Sequence, residues 1–188
     1  MKLRLIKFSN VKSTNDEAIK KIRSKVHAGI VYSYSQTKGR GTMGKKWISL
    51  KGNLFLSIIF EIDEKKISVK QFTILNVYLL KKVLKKYLRK KITIKWPNDL
   101  LIEKQKISGI LQELIKFKDK TFLIVGMGIN TNFNPKIANK STTCLKFHKK
   151  KFFSNKKILL DIKRIYERFL NEFNKIKFKK LLKLSLFN

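Results

Sequence analysis

Cysteine is almost missing from this 188-residue chain: Cys144 stands alone, so no internal disulfide can form. With only His27 and His148 beside it, no Cys/His cluster of metal-binding spacing exists. Long apolar runs are missing too. The longest stretch free of charged residues and histidine, 121–135, is 15 residues long and carries two Gly and three Asn. That is too short and too polar to cross a bilayer. Lys2, Arg4 and Lys7 interrupt the first ten residues, which therefore lack the apolar core of a signal peptide. Two prolines, eight glycines and no repeat leave no linker to divide the chain, so a single domain over 1–188 is expected. Together these absences predict a cytoplasmic globular protein with no membrane partner.

Acidic residues are also scarce: 12, against 45 Lys and Arg, for a formal charge of +33. Such a balance by itself suggests a nucleic-acid binder. The breakdown weakens that reading, because only six of the cations are arginine and the lysines are spread along the chain. Readers of base edges rely on the planar fork of arginine, and lysine replaces it poorly. Lys, Ile, Asn and Phe share A/T-rich codons, so compositional bias accounts for much of the profile. Salt-sensitive association with polyanions is expected, specific DNA recognition is not.

What is present is core-forming: 43% hydrophobic and 11% aromatic residues. Thr14 and Glu17 have capping-box spacing at the head of a helix whose apolar stripe is Ala18, Ile19, Ile22 and Val26. Residues 29–36 and 53–60 read as strands, the second apolar on both faces and therefore central in a sheet. Phe72, Leu75, Leu79, Leu80, Val83 and Tyr87 recur at helical spacing. Short strands follow at 92–96, 100–102, 106–115 and 121–130, separated by turns at Pro97-Asn98-Asp99, Glu103-Lys104-Gln105 and Lys118-Asp119. From Ser154 onward helix is expected, to about residue 183. The predicted class is α+β, a mixed and largely antiparallel sheet packed by helices.

Four clusters carry chemistry: STN (13–15), QTKGRGTMGKKW (36–47), KWPNDLLIEKQKISGIL (95–111) and GMGIN (126–130). Taken singly each has a plain reading as a cap, a turn or, at Gly126 and Gly128, a bulge. Gly39-Arg40-Gly41 has neither the P-loop spacing nor the dinucleotide fingerprint. In this order, over about residues 7–135, the clusters resemble the catalytic domain of biotin protein ligases (biotin–acetyl-CoA-carboxylase ligases).

The resemblance implies a class II synthetase-like fold and a two-step reaction. Biotin and ATP give biotinyl-5'-AMP, and a lysine of the biotin carboxyl carrier protein of acetyl-CoA carboxylase then displaces AMP. It places Ser13, Thr14, Asn15, Gln36, Gly39, Arg40, Gly41, Thr42, Lys106 and Gly109 at biotin, and Arg40, Lys95, Asn98 and Asn130 at ATP. Arg40, Lys106 and Asp99 are its candidate catalytic residues.

These types suit the chemistry. A carboxylate and a triphosphate repel each other, and cations such as Arg40 and Lys106 neutralise charge that gathers between them. A neutral ureido ring needs matched donors and acceptors, which an amide and hydroxyls supply. Two roles fit Asp99: attracting the Mg²⁺ that accompanies ATP phosphates, or positioning the incoming amine.

The chain also departs from the family. Thr42 stands where a basic residue commonly follows GRG. With STN beginning at residue 13, no N-terminal helix-turn-helix domain is expected, and the usual small C-terminal domain is expected to be absent. A homodimer is left open. Two alternatives remain at this point, a lipoate-type protein ligase and a degenerate lysine-rich nucleic-acid-binding module.

Overall fold

The computed structural model describes residues 1–64 and 68–173. The helical expectation for 174–183 lies outside them. Within the described residues seven strands form one sheet: β1 (Arg4–Phe8), β2 (Gly29–Ser33), β3 (Leu54–Ile62), β4 (Ile92–Lys95), β5 (Asp99–Ile102), β6 (Gln105–Phe117) and β7 (Lys120–Ile129). Their spatial order is β1-β2-β3-β7-β6-β5-β4. Only β1 and β2 pair in parallel. The expected class is confirmed.

β3 and β7 lie in the middle and are nearly continuous apolar runs, as strands covered on both faces must be. One face packs on α1 (Thr14–Arg23), where Ala18 and Ile22 meet Val31, Ile59, Phe122 and Ile124. The other face carries α2 (Val69–Lys85) and α4 (Asn155–Phe173) over the larger core. Leu80, Val83, Ile162 and Tyr166 are fully buried there. α3 (Leu145–Lys149) is a single short turn between them in sequence.

Several local expectations change. Ser13, not Thr14, is the N-cap of α1, and its side chain makes no capping bond; Thr14 Oγ1 instead accepts from Ser57 Oγ at 2.8 Å. The capping box sits at the next long helix, where Ser68 and Gln71 satisfy each other's backbone N–H groups. β2 stops at Ser33, three residues early, because the Ser33 hydroxyl bonds Ser35 and turns the chain. Val26 and Tyr87 fall beyond the ends of their helices. β1 and α3 were not anticipated. The β5–β6 hairpin turns through Glu103 and Lys104, both at positive φ, as a two-residue connection requires.

Candidate active site

Gly126 and Gly128 do not form a bulge. β7 pairs in unbroken register with both neighbours, and the irregularity in this region lies between Leu100 and Leu101 of β5. The glycines provide clearance. A Cβ on Gly128 would enter the Trp47 indole, and one on Gly126 would enter the Asn15 amide. Opposite Gly128 on β6, a Cβ on Gly109 would meet the Trp47 ring at 2.9 Å. Two sidechain-free patches of sheet thus admit one residue from the 36–50 loop and one from the head of α1.

Over this bare floor lies a cavity of about 520 Å³, in the range that holds small molecules. Its walls come from the head of α1, the 36–50 loop, the β4–β5 turn, β6 and a strap at 135–142. Ser13, Thr14, Asn15, Gln36, Arg40, Gly41, Thr42, Lys95, Asn98, Asp99, Lys106, Gly109 and Asn130 all line it. Gly39 does not. It is buried against Ser49 Oγ and the Trp47 carbonyl, each 2.6 Å from where its Cβ would stand, so it shapes the loop.

The lining is strongly basic. Arg40 and six lysines (Lys45, Lys46, Lys95, Lys104, Lys106, Lys140) face a single carboxylate, Asp99. Lys106 Nζ lies 2.7 Å from Asp99 Oδ1 and 5.2 Å from the centroid of the Trp47 ring. Its backbone is held by the strap: Lys106 N–H donates to Ser141 O, and Thr143 N–H donates to Lys106 O. Arg40 donates to both oxygens of Glu113, 2.8 Å each, and also touches Asp16 at 2.8 Å. The Glu113 hydrogen bond foremost raises the Arg40 pKa further, against a smaller opposing effect of burial.

Some polar groups are already committed. Gln36 Oε1 accepts from Thr14 N–H at 2.8 Å and its Nε2 donates to Ser49 at 3.0 Å. Each end of that amide keeps one more hydrogen-bonding valence. Asn98 ties the β4–β5 turn to β6, with Nδ2 donating to Ile110 O and its own carbonyl accepting from Ile110 N–H. Two others are uncommitted: Asn130 Oδ1 and Trp47 Nε1 are buried without a protein partner. Both residues line the cavity. Trp96 is part of the cavity wall, half exposed and packed near Tyr78.

Sequence reasoning missed Glu113, Asp16 and the strap. Glu113 had a usable signal: it lies four residues past Gly109 on a strand, hence on the same face. The strap acts through backbone bonds, which leave no mark in side-chain chemistry.

The family profile "Biotin/lipoate A/B protein ligase family" matches residues 6–130. Bifunctional ligase/repressor BirA of Escherichia coli K12 is 32% identical over 122 residues, which cover 64% of this chain and 38% of that protein. BirA of Bacillus subtilis is 35% identical over 108 residues, covering 56% of this chain and 33% of that protein. The chain thus spans well under half the length of these relatives. Among solved structures, biotin protein ligase from Aquifex aeolicus in complex with biotin and ATP superposes with a TM-score of 0.78 at 29% identity. That superposition covers 97% of this chain and 76% of the other.

Proposed function

The chain belongs to the biotin/lipoate A/B protein ligase family, and on that footing we propose that it activates biotin with ATP and transfers it to a carrier protein lysine. In the first step a biotin carboxylate oxygen attacks the α-phosphorus. The bond from that phosphorus to the β-phosphate oxygen breaks, and pyrophosphate leaves. In the second, the neutral amine of a lysine on the biotin carboxyl carrier protein attacks the acyl carbon. The bond to AMP breaks, and the nitrogen gives up a proton.

The observation that carries this reading is the charge of the cavity: seven cations and one carboxylate around a glycine floor. Such a lining suits two anions brought together and suits a cationic or neutral ligand poorly. Arg40 and Lys106 are assigned to the junction of carboxylate and α-phosphate, where charge concentrates. Ser13, Thr14, Asn15 and Gln36 are assigned to the ureido ring, and Lys95, Asn98 and Asn130 to the nucleotide. Asp99, which holds the Lys106 ammonium at 2.7 Å, is assigned to orienting the incoming amine.

Magnesium fits this site only as a passenger on the nucleotide. No group of three His, Cys, Asp or Glu residues is gathered anywhere among the described residues, and Asp99 is already paired with Lys106. Magnesium is content with one or two carboxylates when phosphates supply the rest, so Asp99 is the residue that would contact it, and its charge would offset that of the phosphates.

Incubation with ATP, labelled biotin and a carrier domain, with lipoate in a parallel arm, tests the reading. Label on the carrier lysine from biotin alone supports it. Label from lipoate alone, or none with a competent carrier, refutes it.

A further inference from the structure

Glu113 has no part in the chemistry above, yet it is the most engaged carboxylate near the cavity. It takes Arg40 side-on, Nη1 to Oε1 and Nη2 to Oε2, both at 2.8 Å. Its Oε2 also accepts from Asn15 Nδ2 at 2.6 Å. The other end of the Asn15 amide accepts from Ser57 and lies in the space that Gly126 leaves open. One carboxylate therefore joins three elements: the tip of the 36–50 loop, strand β6 and the head of α1.

The loop needs such a fastening. Arg40, Lys45 and Lys46 share it, and like charges gathered on one loop repel one another. Its tip is closed on itself, Gly41 N–H donating to Lys45 O and Trp47 N–H to Gly39 O, but among the described residues no backbone bond ties Arg40 to β6 or to α1. A two-point carboxylate–guanidinium contact fixes direction as well as distance, which a single contact to Asp16 does not.

We propose that Glu113 is a positioning residue that latches the 36–50 loop through Arg40 and ties its closure to the seating of Asn15. Resting on the biotin-activating reading, this means the pocket for the neutral ring and the cationic end of the cavity are set together. A ligand that engages Asn15 firms the latch, and the latch holds Arg40 where the anions meet.

The test uses the full chain with Glu113→Ala, Glu113→Gln and, as a control, Asp16→Asn. Trypsin cleavage without any ligand is mapped by mass spectrometry at Lys38, Arg40, Lys45 and Lys46, with Lys118 on the β6–β7 turn as internal reference. Loop cleavage should quicken about tenfold in Glu113→Ala and in Glu113→Gln, with Lys118 unchanged and Asp16→Asn near wild type, since proteolysis follows the population of the open form. In turnover, the KM for biotin should rise about tenfold with kcat at saturation little changed. Loop cleavage at the wild-type rate in Glu113→Ala overturns the latch. So does a fall in kcat with KM unchanged, which marks a residue needed only at the transition state. Should Glu113→Ala be cut everywhere, it has unfolded, and the isosteric Glu113→Gln decides. A loop that opens in the variants of a protein inert toward biotin leaves the latch standing and refutes the functional reading.

Discussion

Lys106 shows how a single charge is made useful in a chain that has charge to spare. Its ammonium sits between Asp99 and the face of Trp47, and its backbone is pinned on both sides by the strap, so the charge cannot wander. Lys106→Ala and Arg40→Ala should each cost about 2–4 kcal/mol of transition-state stabilisation, the loss typical of one preorganised donor. Pyrophosphate release measures it, and rates within about threefold of wild type would remove either residue from the reacting centre. Both side chains are a third or more exposed, so melting temperatures should hold. His148 is a different case. Burial first, and the charge of Lys90 second, push its pKa below the ordinary imidazole range, with Glu103 opposing. The unfolded chain therefore takes up the proton at higher pH than the native one. The His148 contribution to stability is complete above the ordinary imidazole pKa and is lost as pH falls through it toward the lowered native value. The melting temperature should drop between about pH 7 and pH 5, and less steeply in His148→Gln. Equal slopes would show that the contact to Thr143 does not sense the proton.

Among the elements, those with a clear period were legible in the sequence. β3, β7, α2 and α4 announce themselves by runs and stripes that depend on burial, which composition records. β1 was not legible because an edge strand pairs on one side only and keeps Arg4 and Lys7 in solvent, so its five residues look like surface. α3 is too short to show a period. At the site, motif order located the cavity walls, but not why the glycines recur. A strand that must admit an indole looks, in sequence, like a strand with a bulge. Gly128→Ala places a methyl group inside the Trp47 ring, and overpacking of that kind costs about 1–3 kcal/mol. The expected result is a lower melting temperature together with a shift in tryptophan emission as Trp47 is displaced. If both stay at wild-type values, the loop does not rest on β7.

Over the whole molecule the charge is lopsided, because 45 Lys and Arg stand against 12 acidic residues and much of the acidic charge is already held in ion pairs. On the proposed function, such a field would speed encounter with an acidic carrier domain, and it fades as salt shortens its range. Transfer from preformed adenylate should therefore slow severalfold between about 0.05 and 0.5 M salt, the range over which screening sets in. A flat response would mean that the lysine coat plays no part in encounter. No helix among the described residues is long and apolar enough to cross a membrane. The sheet itself divides the labour. Along β7, odd-numbered side chains from Leu123 to Ile129 pack under α2 and α4, while even-numbered positions hold α1 and the glycine floor. Next to Glu113, Gln112 turns the other way, to Asn76 and through it to Tyr166. The two sides of the sheet thus carry largely separate side-chain sets. A change of side-chain volume under α2 and α4 therefore reaches the cavity at few points, Ile110 and Met127 being core residues that also line it.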